Sequence, residues 1–249
     1  MQDYVSDLVP SLNLTTLNES FWKFYICTAV RKFIFFLDPL RRGKISIQTI
    51  LLSPILTEMF ELRENEMSRD YERTNWFSAY SSLRIYGQFL NLDLDRNGML
   101  SRAELAGYSN GTLTGIFLDR VFQEYQTYNG QMDYKAFLDF VLAMENIQTP
   151  EAIAYCFRLL DIKGQKYLDE FTVGYFFKAV MEAMEATGVE MVDVADVTNE
   201  IFDMAHPADP DIISLQDLLD CGVGGTIVNI LSDTRGFWNY DNREPGDGK

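Results

Sequence analysis

Five times along this chain, a stretch with apolar residues on one helical face leads into a polar segment and out into a second such stretch. The leading stretch places its apolar residues one, four, five and eight positions before the polar segment. The trailing one starts on an apolar residue just past it. Inside the segment, the position at or near the eighth is apolar. Residues at such offsets share one helix face. The pattern predicts tandem helix–loop–helix units in an all-α fold, with short β bridges joining these inner apolar positions of paired loops.

The clearest unit surrounds "DLDRNGMLSRAE", residues 93–104, with Ile85, Phe89 and Leu92 before it, Leu100 inside it and Leu105 and Tyr108 after it. Alternating Asp93, Asp95 and Asn97, then Gly98 and a closing Glu104, have the spacing of an EF-hand calcium loop. In that arrangement Asp93, Asp95 and Asn97 each give a side-chain oxygen and Met99 its backbone carbonyl. Ser101 acts directly or through water, and Glu104 binds through both carboxylate oxygens. Gly98 allows the sharp turn. An all-oxygen set of this kind favours Ca2+ over zinc or magnesium. With three carboxylates, and Arg96 and Arg102 close by, an affinity on the order of 10⁻⁶ to 10⁻⁵ M is expected.

The other four units keep the apolar frame and have lost ligands. Leu118, Val121, Phe122 and Tyr125 lead into 126–136, where Met132 is the inner apolar residue and Ala136 stands at the end. Ile153, Cys156, Phe157 and Leu160 lead into 161–172, where Lys163, Lys166 and Thr172 replace an acid, a glycine and a glutamate. Lysine offers only donors, so that loop cannot ligate calcium. Val194, Val197, Ile201 and Met204 lead into a proline-distorted loop around Ile213. Upstream, Val30, Phe33, Ile34 and Leu37 lead into 38–49, with Ile45 inside and Arg42 and Thr49 at ligand positions. The spacing pairs the unit at 93 with that at 126, and the unit at 161 with the last one, leaving the first unpartnered. Three segments follow: 1–75, with a degenerate hand; 76–148, with the intact loop; and 149–249, a degenerate pair with a C-terminal segment. Residues 57–75 are expected to be helical.

Charge narrows the partners. A formal net charge of −16 opposes nucleic-acid binding, because phosphate is repelled. No apolar run approaches the ~20 residues that span a bilayer, and no signal-like N-terminal region is present. A cytosolic or nuclear protein without a membrane partner is expected. Lys23, Arg31, Lys32, Arg41, Arg42 and Lys44 cluster with a single acid, Asp38, and with Phe24, Tyr25, Phe33, Phe35 and Phe36. The cluster is either a docking surface for an acidic partner or a solvated helix face.

Catalytic signals are weak. Cys27, Cys156 and Cys221 lie far apart and form no C-x-x-C pair. The one histidine, His206, has no second histidine to work with. "CGVGGT", residues 221–226, lacks the Lys-Ser/Thr of a phosphate loop and is expected to be a turn between helices. No enzyme is predicted.

The segments "FFLDPLRRGKI", "TNWFSAYSSLRIYGQFLNLD", "FLDRVFQEY", "GQMDYKAFLDFVLAMEN", "ISLQDLL" and "GFWNYDNRE" resemble the B-double-prime regulatory subunits of protein phosphatase 2A. The gamma-type branch, which includes the plant Tonneau/Fass proteins, is the most similar in look. The resemblance runs from about residue 20 to residue 244. It implies a non-catalytic calcium-binding subunit whose partners are the phosphatase scaffold and catalytic subunits, and which directs choice of phosphoprotein substrates or location. It also implies a cytoplasmic protein with cytoskeletal, centrosomal or nuclear associations, and further N-terminal sequence in family members. Other branches carry a second metal-competent hand, and the matching loop here, 161–172, has lost its ligands. The competing reading is a free-standing calcium sensor that offers a methionine-rich groove to target helices.

Overall fold

The computed structural model describes residues 1–243 except 13, 15, 40, 65–67, 186, 187 and 189–191. In chain order the helices are α1 (Gln2–Leu8), α2 (Trp22–Leu37), α3 (Ile47–Leu51), α4 (Pro54–Phe60), α5 (Arg69–Thr74), α6 (Ala79–Leu92), α7 (Arg102–Leu105) and α8 (Gly115–Glu124). They continue as α9 (Tyr134–Glu145), α10 (Pro150–Leu160), α11 (Glu170–Glu185), α12 (Val194–Ala205), α13 (Leu215–Asp220), α14 (Gly224–Ser232) and α15 (Thr234–Asp241). Strands β1 (Tyr167–Asp169) and β2 (Ile212–Ser214) form the two-stranded antiparallel sheet.

The expected all-α architecture and its bridges are present. Leu168 pairs with Ile213 at the centre of the sheet. Leu100 pairs with Met132 in an isolated antiparallel bridge, with N–H···O distances of 2.8 and 2.7 Å. Both pairings join the hands that the spacing matched. Each bridge residue is fully buried because it also forms part of the apolar frame.

The chain divides into two compact units, Met1–Met99 with Asp133–Leu142, and Leu100–Met132 with Ala143–Lys249. These cut the chain at other places than segments 1–75, 76–148 and 149–249. The reason lies in α9, whose first residues pack with the first unit. Tyr134 and Phe137 meet the ring of Phe89 at 5.1 and 5.4 Å between centroids. Tyr134 also shares a 3.0 Å hydrogen bond with Thr28 on α2.

In this first unit Arg31 grips Asp139 through Nε, at 2.8 Å, and through Nη2. Burial raises the Asp139 carboxyl above its usual range, and the Arg31 fork pulls it back. Lys32 reaches Glu58 at 2.6 Å. Both basic residues are therefore engaged inside the unit. Tyr25, Phe33 and Phe35 are also buried. Tyr25, Phe33 and Phe35 thus serve the core and Arg31 and Lys32 pair internally, while Lys23 and Phe24 stay exposed.

Residues 57–75 do not form one helix. Ser53 caps α4 ahead of Pro54, and Ser68 accepts from the Tyr71 amide to start α5; residues 65–67 lie outside the described region. A capping serine favours a helix start, so Ser68 divides the segment.

In the second unit, α10 and α11 supply much of the core. Ile153, Cys156, Phe157, Leu160, Val173, Phe176 and Phe177 are all buried, which is the frame expected around 161–172. The buried Arg120 guanidinium closes the C-terminus of α10, donating to the carbonyl of Leu159 at 2.9 Å. The glycine-rich stretch is a turn only to Val223. Gly224 already begins α14, and a Cβ there would collide with the Leu218 carbonyl oxygen. No helix among the described residues is long and apolar enough to cross a membrane.

Candidate metal centre

The 93–104 loop leaves α6 at Asp93, whose carboxylate turns the chain. One oxygen accepts from the Asn97 amide at 3.1 Å and the other from the Gly98 amide at 3.0 Å. Arg96 and Gly98 take left-handed φ values of 59° and 78°. Gly98 has nothing within 4 Å of where a Cβ would stand. The glycine is needed for its backbone conformation, not for space.

At the far end Ser101 caps α7. Its Oγ accepts from the Glu104 amide at 3.3 Å, while the Ser101 amide donates to Glu104 Oε2 at 2.8 Å. This reciprocal capping box satisfies helix-end donors whether or not a cation is bound. The loop is one uninterrupted stretch of chain. Within it Asp93, Asp95 and Glu104 each bring a carboxylate oxygen within 4.8 Å of the others. Asp93 is 5% and Glu104 9% exposed. Asn97 turns Oδ1 to the Met99 amide, at 2.8 Å. Two buried carboxylates converging with a third suit a hard divalent cation, which offsets their mutual repulsion.

The degenerate loops use the same scaffold. Asp38 accepts from the amides of Arg42 and Gly43, and Asp161 from those of Gln165 and Lys166. Ser46, Asp169 and Ser214 cap exit helices as Ser101 does. Asp133 does likewise for α9, accepting from the Ala136 amide. In the loops at 38, 93 and 161 the first and ninth positions thus hold the fold. Sequence reading assigns Asp93 and Ser101 to metal alone and misses this second duty. Its signal is the spacing Ser-x-x-Glu and Asp-x-x-Thr.

Two of these loops carry further features of their own. In 126–136, Asn129 and Gly130 are both left-handed, and Tyr128 and Gln131 exchange backbone hydrogen bonds. That is a two-residue hairpin turn, which Asn-Gly favours. In 161–172, Lys163 Nζ lies 2.6 Å from Asp169 Oδ2, so an ammonium occupies the acidic loop. Lys166 takes φ 67° where the intact loop has Gly98. His206 ends α12 in the left-handed region and is exposed. Met59, Met132, Met181 and Met184 lie in the core and cannot line an open groove.

The Lys163 hydrogen bond, and after it that of Thr172, hold the Asp169 carboxyl down to about 2, against an ordinary 3.8. A carboxylate depressed in the folded state contributes stability above its unfolded pKa and loses it as pH falls through the folded one. Stability should therefore drop between about pH 4 and about pH 2, modestly, since the pair is partly exposed. Asp169→Asn should flatten that part of a pH series of urea melts. Equal acid sensitivity in the variant would exclude this pair as a source.

No family model matches the chain. It is 55% identical over 245 residues to the gamma-type B'' regulatory subunit of serine/threonine-protein phosphatase 2A from Homo sapiens, covering 98% of this chain and 54% of that protein. It is 42% identical over 255 residues to TON2 of Arabidopsis thaliana, a probable B'' regulatory subunit of the same phosphatase, covering 98% of this chain and 53% of that one. The chain spans about half the length of the curated relatives it matches. A chain of a solved PP2A PR70 holoenzyme designated diCa is similar at a TM-score of 0.84 and 26% identity, covering 95% of this chain and 90% of that one.

Proposed function

We propose, from the premise that this chain belongs to the B'' family of protein phosphatase 2A regulatory subunits, that it is a non-catalytic, calcium-binding part of such a protein. Its partners on this reading are the phosphatase scaffold and catalytic subunits, and it directs which phosphoproteins they meet or where. The observation that carries the proposal is the 55% identity sustained over 98% of the chain. Similarity to a chain of a diCa holoenzyme supports the same role.

Calcium would be held by side-chain oxygens of Asp93, Asp95 and Asn97, the Met99 carbonyl and the Glu104 carboxylate. Ser101 is occupied by its helix cap and would contribute through water. When bound, the cation would supply positive charge that draws these groups together. A cytoplasmic location with cytoskeletal, centrosomal or nuclear pools belongs to the same proposal, and imaging of a tagged chain tests it.

Two measurements test the function. Purified phosphatase scaffold should retain the chain in a pull-down, and calcium chelation should change the amount retained. No retention in either condition would end the regulatory reading. Calorimetry should give one calcium per chain, since only 93–104 keeps its ligand set. Two or more strong sites would contradict that assignment.

A further inference from the structure

The first hand, α2–loop–α3, is built like the others and lacks what each of them has. Asp38 turns its loop, Arg41 and Gly43 are left-handed at φ 53° and 71°, and Ser46 caps α3. In the two paired sets, the inner apolar residue of one loop forms an antiparallel bridge with that of another. Ile45 holds that position here, and among the described residues no bridge engages it.

Its apolar surface is correspondingly open. A cavity of about 470 Å³ is lined by Ile34, Ile45 and Ile50, together with Lys44. On and just after α3, Ile47, Leu51 and Leu52 are 74%, 62% and 77% exposed. The surroundings are basic. Arg42 and Lys44 are exposed, and Arg41 reaches Asp139 only at 3.9 Å with 45% of its side chain accessible. The acid of this loop, Asp38, is buried and spent on backbone amides. This patch is positive on a chain of net charge −16.

We infer that the open hand docks an apolar, acid-flanked segment of a partner protein, which takes the bridge to Ile45 that a second hand would otherwise make. The backbone at Ile45 supplies the edge for one antiparallel bridge. Ile34, Ile45 and Ile50 receive the apolar side chains, and Arg42 and Lys44 meet the acidic flank. Charge selects this occupant over a second copy of the chain. Hand-to-hand pairing about a two-fold axis would bring two copies of this basic loop side by side, and like charges across an interface oppose association. The docking depends neither on the calcium loop nor on phosphatase assembly.

The test uses the full chain and two synthetic fluorescent peptides with one shared apolar core, flanked by glutamates in one and lysines in the other. The acid-flanked peptide should bind about tenfold tighter, weaken as salt rises, and protect the Ile45 amide from exchange. Arg42→Glu with Lys44→Glu should reverse the preference while the thermal melt stays unchanged, since both side chains are exposed. Leu51→Ser with Leu52→Ser should weaken both peptides. Equal binding of the two peptides, no binding of either, or protection confined to other residues overturns the inference. So does a dimer in sedimentation that Ile45→Asp dissolves, because the occupant would then be a second copy.

Discussion

Replacing Phe177 with alanine is expected to lower the free energy of unfolding by about 3–5 kcal/mol. The ring is fully buried on α11 and sits edge-to-face with Phe237 on α15, 4.9 Å between centroids. Helices α12 and α14 also pack on α11, and they cannot all close into the space a lost phenyl leaves. The loss therefore combines transfer free energy with a cavity and a broken aromatic pair. A control lies on the same helix. Phe171 is 67% exposed, and its change to alanine should stay within about 0.5 kcal/mol. Urea melts of both variants check this. A loss below about 1 kcal/mol at Phe177, or a larger one at Phe171, would mean that the buried face of α11 is drawn wrongly. The contrast matters because this hand has no metal loop. Its helices rest chiefly on the apolar frame, with the β1–β2 pairing and the Asp169 cap beside it.

That frame is the part of the fold most legible in the sequence. Helical spacing of Val173, Phe176 and Phe177, or of Leu118 and Val121, follows from core geometry and survives the loss of every ligand. Bridge pairing is legible for the same reason, because Leu100, Met132, Leu168 and Ile213 must be apolar to lie inside. What escapes a sequence reading depends on contacts distant along the chain. Arg31 and Lys32 look like surface charge, yet Asp139 and Glu58 neutralise them. No local pattern carries an ion pair across a hundred residues of chain. The division into units is hidden similarly, since α9 packs by Tyr134 and Phe137 with helices far upstream of it. In the 93–104 loop the candidate ligand types and spacing are visible, and the capping duty of Ser101 is visible too, as a Ser-x-x-Glu spacing. It is obscured when one residue is read for one purpose.

That double use gives the Glu104 variant its diagnostic value. Glu104→Gln should weaken calcium binding by about tenfold or more, by removing one of three carboxylate charges and the bidentate pair of oxygens. The apo fold should be nearly unaffected. Glutamine keeps a side-chain oxygen that accepts from the Ser101 amide, so the cap on α7 can persist. Asp93→Asn should behave differently. Both Asp93 oxygens accept backbone amides, from Asn97 and Gly98, and an asparagine NH2 would turn a donor toward one of them. That variant should lose stability without calcium as well as affinity with it. Calorimetry for affinity and chelator-treated thermal melts for the apo fold separate the two effects. Unchanged calcium affinity in Glu104→Gln would place the site elsewhere. Equal apo destabilisation by both variants would show that Glu104 acts mainly as a helix cap. The comparison distinguishes a carboxylate that gathers the metal from one that shapes the loop around it.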